Sequence, residues 1–122
     1  GSNWPLGLNL RLATPDPDVD YIYYQSSDLL KTPIYRSVYL VPALPDAFYV
    51  ELTSVNDPGY GPVVVDVHAS DGALIGTYEQ GDSPTIEPQG VNTYHWLVVR
   101  PALDQKALFQ LFLKETCWPN CG

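Results

Sequence analysis

Methionine is absent from this chain of 122 residues and cysteine occurs only twice, so it carries no initiator residue and no distributed set of thiols. We expect the chain to be a mature or excised piece of a longer precursor, with Gly1-Ser2 as a cloning remnant. A chain of this length has room for one hydrophobic core, so residues 3–122 are predicted to form a single domain.

Basic residues are also scarce, because six Lys and Arg stand against fourteen Asp and Glu and give a formal net charge of −8. A surface of that sign repels phosphate backbones and anionic lipids, which argues against nucleic acid as a partner. No apolar run reaches the ~18 residues that a transmembrane helix requires.

Long uninterrupted segments are lacking too, since twelve prolines and nine glycines divide the chain into short pieces. The piece "LGLNLRLA" alternates strictly, with leucines at every second position, and predicts a strand with one buried face. "FYVELTSV" opposes Phe48, Val50 and Leu52 to a polar side. "VVVDVHA" places Val63, Val65 and Val67 inward and Asp66 and His68 outward.

Two further segments complete the prediction of the fold. Asp71-Gly72 predicts a two-residue hairpin turn after "VVVDVHA". "KALFQLFLKE" alternates like a strand but consists of good helix formers, and its neighbours favour the strand. The whole pattern predicts an all-β fold, an antiparallel β-sandwich or jelly roll of seven or eight short strands.

From Ile34 onward the order of these segments resembles the bacterial pre-peptidase C-terminal domains, small secreted β-sandwiches appended to peptidases and adhesins. The resemblance rests on "YRSVYLVPALPDAFYVELTSV", "VVVDVHASDGALIGTYEQG" and "GVNTYHWLVVRP". The chain departs from that pattern at Val65-Asp66-Val67, where these domains carry Asp-Leu-Tyr, and in its terminal cysteine pair. The resemblance implies a non-catalytic accessory domain.

The two cysteines, Cys117 and Cys121, bracket a turn-forming Trp-Pro-Asn spacer near the end of the chain. In an oxidising compartment, a pair so close together is predicted to form a local disulfide that fastens the C-terminal tail. This prediction places the protein outside the cytoplasm, as a secreted, periplasmic or cell-surface domain.

Metal binding is a weaker alternative. His68 and His95 would join Cys117 and Cys121 in a copper or zinc set, although the spacing of the cysteines fits neither metal well. An acidic triplet has the alternating spacing of calcium loops but lacks the Gly and Glu of an EF-hand: Asp16, Asp18 and Asp20. No cofactor is therefore expected.

Catalysis has little support, because the Asp66–His68 pair has no identifiable nucleophile and no hydrolase or phosphate-binding motif occurs. Aromatic residues carry more information. Tyr35, Tyr39 and Tyr49, with Glu51 beside the last, are predicted to point outward, where they suit sugar stacking or a protein interface.

These observations together predict a non-enzymatic, extracytoplasmic accessory domain for protein assembly or adhesion, belonging to a secreted or envelope-attached protein. A carbohydrate-binding module that uses exposed tyrosines is the alternative, and a metal-binding domain is the third. The partner is accordingly expected to be a protein or a glycan.

Overall fold

The computed structural model describes residues 8–13, 22–42, 47–54, 59–88 and 93–115, and side chains within them except those of residues 8, 9, 22, 23 and 115. Within these ranges the chain forms nine strands and no helix. In chain order they are β1 Leu8–Leu12, β2 Ile22–Leu30, β3 Arg36–Val41, β4 Phe48–Ser54, β5 Val63–Ala69, β6 Leu74–Glu79, β7 Thr85–Ile86, β8 His95–Pro101 and β9 Ala107–Glu115.

The strands form two sheets that pack face to face. Sheet A has five strands in the order β1-β3-β8-β5-β6, and sheet B has four in the order β2-β9-β4-β7. All neighbours are antiparallel except β1 and β3, which run parallel at the edge of sheet A. The predicted all-β sandwich is confirmed, with nine strands among the described residues rather than seven or eight.

The core lies between the sheets and is built from every second residue of their central strands. In β5 the inward residues are Val63, Val65 and Val67, as the sequence pattern predicts. The largest side chains with less than 2% exposure include Tyr39, Phe109, Leu97 and Leu111. Alternate burial of this kind joins two amphipathic sheets into one apolar layer.

The segment whose helix or strand character was ambiguous is β9. It pairs with β2 on one side and with β4 on the other, so it is a central strand of sheet B. Its inward residues are completely buried: Ala107, Phe109, Leu111 and Leu113. The period of two therefore outweighs the helix propensity of the residues, because it alone puts all four in the core.

The first strand reverses its expected orientation. The leucine side of β1 was predicted to be buried, yet Leu10 is 39% exposed and Leu12 is 55% exposed. Arg11, on the other side, points between the sheets, where Nη2 lies 3.1 Å from the Asp28 carboxylate on β2. The alternation is present, but the leucine side of β1 faces outward, because the ion pair of Arg11 with Asp28 keeps the polar side toward sheet B.

The β5–β6 hairpin has a loop one residue longer than predicted. Ala69 N–H donates to Ala73 O at 2.8 Å, which leaves Ser70, Asp71 and Gly72 in the loop. Gly72 has a φ of +94°, so the glycine supplies the left-handed conformation that closes a three-residue turn. The turn was placed correctly, but its predicted length was wrong.

The structure contains no helix within the described residues that could span a membrane.

Candidate functional site

The outward side of sheet A carries a continuous apolar surface, here called the apolar face. Strand register aligns Leu10 with Val38 and Leu12 with Leu40, and then Val38 with Val98 and Leu40 with Trp96. The face is thus defined by six outward side chains on β1, β3 and β8: Leu10, Leu12, Val38, Leu40, Trp96 and Val98. Such a grouping on one open sheet face is unusual for a surface exposed only to water.

The apolar face ends in an aromatic pair at one end of β8. The Tyr94 and Trp96 rings lie edge to face, with centroids 5.7 Å apart, and Tyr94 is 38% exposed. Tyrosine and tryptophan bury a large area with few rotatable bonds, so they contribute strongly when a partner covers them.

A charged group borders the apolar face on β5 and its neighbours. Arg100 Nε donates to Asp66 Oδ2 at 2.8 Å, and Thr77 Oγ1 donates to Asp66 Oδ1 at 2.6 Å. Partial burial raises the pKa of Asp66, but the hydrogen bonds from Arg100 and Thr77 outweigh it and lower the pKa below its usual value. The carboxylate is therefore charged and bound, and it does not act as a free base.

His68, the other member of the Asp66–His68 pair, has a structural partner of its own. His68 Nδ1 donates to Gly72 O at 3.0 Å in the hairpin loop. Asp66 and His68 share an outer sheet face. Because Asp66 bonds to Arg100 and Thr77, it does not orient His68 as a carboxylate orients a general base.

The outward side of sheet B is a different kind of surface. Gln25 is paired with Phe112, and Ser27 with Gln110, so these four side chains form one block on β2 and β9. With Ser26 they line an open depression of about 370 Å³. We call this the glutamine depression; it has one aromatic ring among uncharged polar groups.

Two of the predicted binding residues lie beside the glutamine depression. Glu51 is paired with Phe112 and Tyr49 with Lys114 in the next strand, β4. Tyr49 is 40% exposed, which agrees with its predicted outward position. Lys114 Nζ donates to Glu51 Oε2 at 2.9 Å. Binding by these residues remains a prediction.

The other two predicted tyrosines do not lie there. Tyr39 was predicted to point outward, and this is wrong: it is completely buried between the sheets. Its hydroxyl donates to Ser26 Oγ at 3.1 Å, and burial raises the pKa of Tyr39 to about 12. Tyr35 is partly buried and packs against the core. The predicted cluster of four residues is therefore divided between different parts of the fold.

Tyr39 belongs to a polar network that joins the sheets. Arg11 contacts Ser26 Oγ and Asp28 Oδ2, both at 3.1 Å, and Ser37 Oγ donates to the same Asp28 oxygen at 3.0 Å. Ser37 is completely buried. Since β1 and β3 belong to sheet A and β2 to sheet B, the network fixes one sheet relative to the other.

The two histidines of the proposed metal set cannot bind one ion together. His95 is paired with Ala69 and His68 with Trp96, on adjacent rungs of β5 and β8. His95 points into the core with 3% exposure, whereas His68 lies on the outer face. Among the described residues, no three metal-ligating side chains cluster. Cys117, Cys121, Asp16, Asp18 and Asp20 lie outside the described residues, so the disulfide remains a prediction.

His95 makes the stability of the domain sensitive to pH. Its Nε2 is buried without a hydrogen-bond partner in the described part of the chain, and its ring lies 5.6 Å from that of Phe48. Burial lowers the pKa of His95, and a hydrogen bond with the backbone of Glu87 only partly offsets this. The neutral imidazole is therefore the form that the fold accommodates.

We expect the domain to lose stability as the pH falls below about 6.5, the ordinary pKa of histidine, because the unfolded chain then binds a proton that folded His95 resists. Urea unfolding between about pH 7 and 5 measures the free energy of unfolding in a range that lies above the ordinary pKa values of the carboxyl groups. His95→Phe should flatten the profile. An equal slope in His95→Phe would contradict the assignment.

Sequence reasoning missed the residues that define both surfaces. Leu10, Leu12 and Trp96 have ordinary strand patterns, and Phe112 sits in a segment that alternates toward the core. The available signal was in "HWLVV", whose large apolar residues occupy both sides of the strand. The leucines of "LNLRL" lie on one side only and gave no such signal.

Comparison with known proteins finds similar structures but no similar sequences. No protein-family model matches the sequence, and no similar sequence is found among curated proteins. Among solved structures, the pre-peptidase C-terminal domain of collagenase from Bacillus anthracis is similar, with a TM-score of 0.54 and 15% identity over 93% of this chain and 100% of that one. The fold resemblance that the sequence indicates is thus confirmed in three dimensions.

A second similar structure is PliG of Aeromonas hydrophila, a periplasmic inhibitor of g-type lysozyme. Its TM-score is 0.57, with 11% identity over 88% of this chain and 97% of that one. At identities this low, the two similarities establish a shared fold and nothing further.

Proposed function

We propose that this β-sandwich is a non-enzymatic, extracytoplasmic interaction domain that binds a partner protein through its apolar face. The observation that carries the proposal is the outward position of Leu10 and Leu12 beside Leu40 and Trp96. Burying apolar area contributes about 25 cal/mol per Å², so an open face of this kind gains stability when covered.

The size of the surface suits such a role. Five strands spaced about 4.8 Å apart make sheet A roughly 19 Å wide between its outer strand axes, and the apolar face covers its β1-β3-β8 side. Tyr94, which contacts Trp96 of the face, and the charged group at Asp66 and Arg100 lie along its border. An apolar centre with a polar border is the usual composition of a protein interface.

The charge of the domain favours a different protein over a second copy of itself. With a net charge of −8, two identical domains repel each other as they approach. A partner with a basic border is attracted and associates faster. We therefore infer a heterologous partner with basic groups around its contact surface.

The shared fold supports this function by analogy. One similar structure is a domain of a collagenase, and the other is a periplasmic inhibitor whose named target, lysozyme, is itself a protein. An accessory or inhibitory role outside the cytoplasm, without chemistry of its own, agrees with both.

The test compares three immobilised forms of the domain on the same envelope or secreted protein fraction: wild type, Leu10→Ser/Leu12→Ser, and Phe112→Ala on the opposite sheet. We expect a protein that wild type and Phe112→Ala retain and the double variant loses. The purified protein should then bind wild type and protect the amides of β1, β3 and β8 from hydrogen exchange.

Two outcomes would overturn the proposal. One is equal retention by the double variant, since it would place the contact elsewhere. The other is a stable dimer of the isolated domain in light scattering that Leu10→Ser/Leu12→Ser dissociates, since a second copy would then occupy the face. Both leucines are solvent-exposed, so the double variant should keep its fold, as circular dichroism can verify.

A further inference from the structure

The glutamine depression on sheet B has a composition unlike that of the apolar face. Among the described residues, its lining consists of two glutamines, two serines and one phenylalanine, and none of these is charged. Lys114 on β9 and Glu51 on β4, beside the depression, bind each other at 2.9 Å. A ligand in this depression therefore meets hydrogen-bonding groups and an aromatic ring without a net charge.

The arrangement around Phe112 is specific. Gln25 lies directly opposite Phe112 on β2, and Glu51 lies directly opposite on β4, so the ring has a hydrogen-bonding side chain on each neighbouring strand. Gln110 lies two residues away on the same side of β9. Cross-strand pairs are about 5 Å apart, so all three polar groups reach the edge of a molecule that rests on the ring.

We propose that this surface binds a neutral oligosaccharide. A sugar ring has an apolar face of C–H groups that packs on an aromatic side chain, and an equatorial border of hydroxyls that need donors and acceptors. Each glutamine amide offers both, with two N–H donors and a carbonyl acceptor. Phosphorylated or carboxylated ligands find no cation among the described residues that line the depression, and purely apolar ligands would leave its amides unpaired.

A second aromatic ring extends the site along the sheet. Tyr49 is exposed on β4 and lies diagonally across from Phe112, because its direct partner on β9 is Lys114. Diagonal neighbours on adjacent strands are about 7–8 Å apart, which lets two rings support neighbouring sugars of one chain. The site is thus suited to an oligosaccharide rather than to a single sugar.

This inference is independent of the proposed partner protein, since the two surfaces lie on opposite faces of the sandwich. The probes are four neutral hexasaccharides: cellohexaose, laminarihexaose, maltohexaose and chitohexaose. Titration of the ¹⁵N-labelled domain, followed by NMR, monitors the side-chain amides of Gln25 and Gln110 and the backbone of β9 directly.

At least one hexasaccharide should shift the two glutamine side-chain signals, and Phe112→Ala should weaken its binding about tenfold or more. Gln110→Leu, which keeps the aromatic ring, should also weaken it. Leu12→Ser, on the opposite face, should bind as wild type does.

The proposal is overturned if none of the four sugars shifts these signals, or if binding is the same in Phe112→Ala and Gln110→Leu. It is also overturned if the side-chain amide signals of Gln25 and Gln110 respond to the protein captured through the apolar face and to none of the sugars. Gln110 is solvent-exposed, so the Gln110→Leu domain should fold even if loss of the aromatic ring disturbs the sheet.

Discussion

Phe109→Ala should lower the free energy of unfolding by about 4 kcal/mol, the largest effect that we expect from a single substitution. Phe109 lies on the central strand β9, is completely buried and belongs to the shared core of the two sheets. Truncation removes its apolar contacts and leaves a cavity that two hydrogen-bonded sheets cannot close. Urea unfolding monitored by tryptophan fluorescence measures the change.

Phe112→Ala is the matched control on the same strand. Phe112 points to the outer face of sheet B, so its loss should cost about 1 kcal/mol or less. In a helix, residues three apart would share a face and the two substitutions would have similar effects. Similar losses of stability for the two variants would therefore contradict both the strand assignment and the placement of Phe112 in the glutamine depression.

Asp28→Ala should lower the free energy of unfolding by about 2–3 kcal/mol, because Asp28 is the centre of the network between the sheets. Its Oδ2 accepts hydrogen bonds from Arg11 and from the buried hydroxyl of Ser37, and its Oδ1 accepts one from Leu29 N–H. The substitution removes the acceptor of a buried hydroxyl and the partner of Arg11. The Arg11 side chain is 39% exposed and so keeps some contact with water, which moderates the loss.

Glu51→Ala is the control for this prediction. It breaks an ion pair of similar length, with Lys114, but on the outer face of sheet B, where both groups reach solvent. Exposed pairs contribute about 0–1 kcal/mol, so the change should be small. A double-mutant cycle of Asp28→Ala with Arg11→Met should give a coupling of about 1 kcal/mol, and additive effects would show that the pair does not join the sheets.

Most of the core could be predicted from the sequence, because its signal is local. Val63, Val65 and Val67 lie on the side of β5 opposite Asp66 and His68, so this side was predicted to be buried. The strand assignment of β9 followed from the strands predicted around it, because its own alternation competed with the helix propensity of its residues. Gly72 marked its turn because few other residues adopt a positive φ without strain.

The candidate surfaces could be predicted only in part. Tyr49 was correctly placed on an outer face, because its neighbours Phe48 and Val50 had to be inside. Tyr39 was misplaced because it shares a side of β3 with the polar residue Ser37, and a side with polar residues was expected to be exposed to solvent. In the fold this side is buried, because Asp28 and Ser26 from sheet B provide its hydrogen bonds.

The sequence by itself determined that this protein is a small acidic β-sandwich, because alternation, turn residues and net charge are properties of neighbouring positions or of the whole chain. Tertiary structure alone decided which side of an ambiguous strand is buried. Leu10 and Leu12 face outward because Arg11 finds its partner on β2, seventeen positions away along the chain. Pairing between distant strands likewise assembled the apolar face and the glutamine depression, and no short segment contains the information for such pairing.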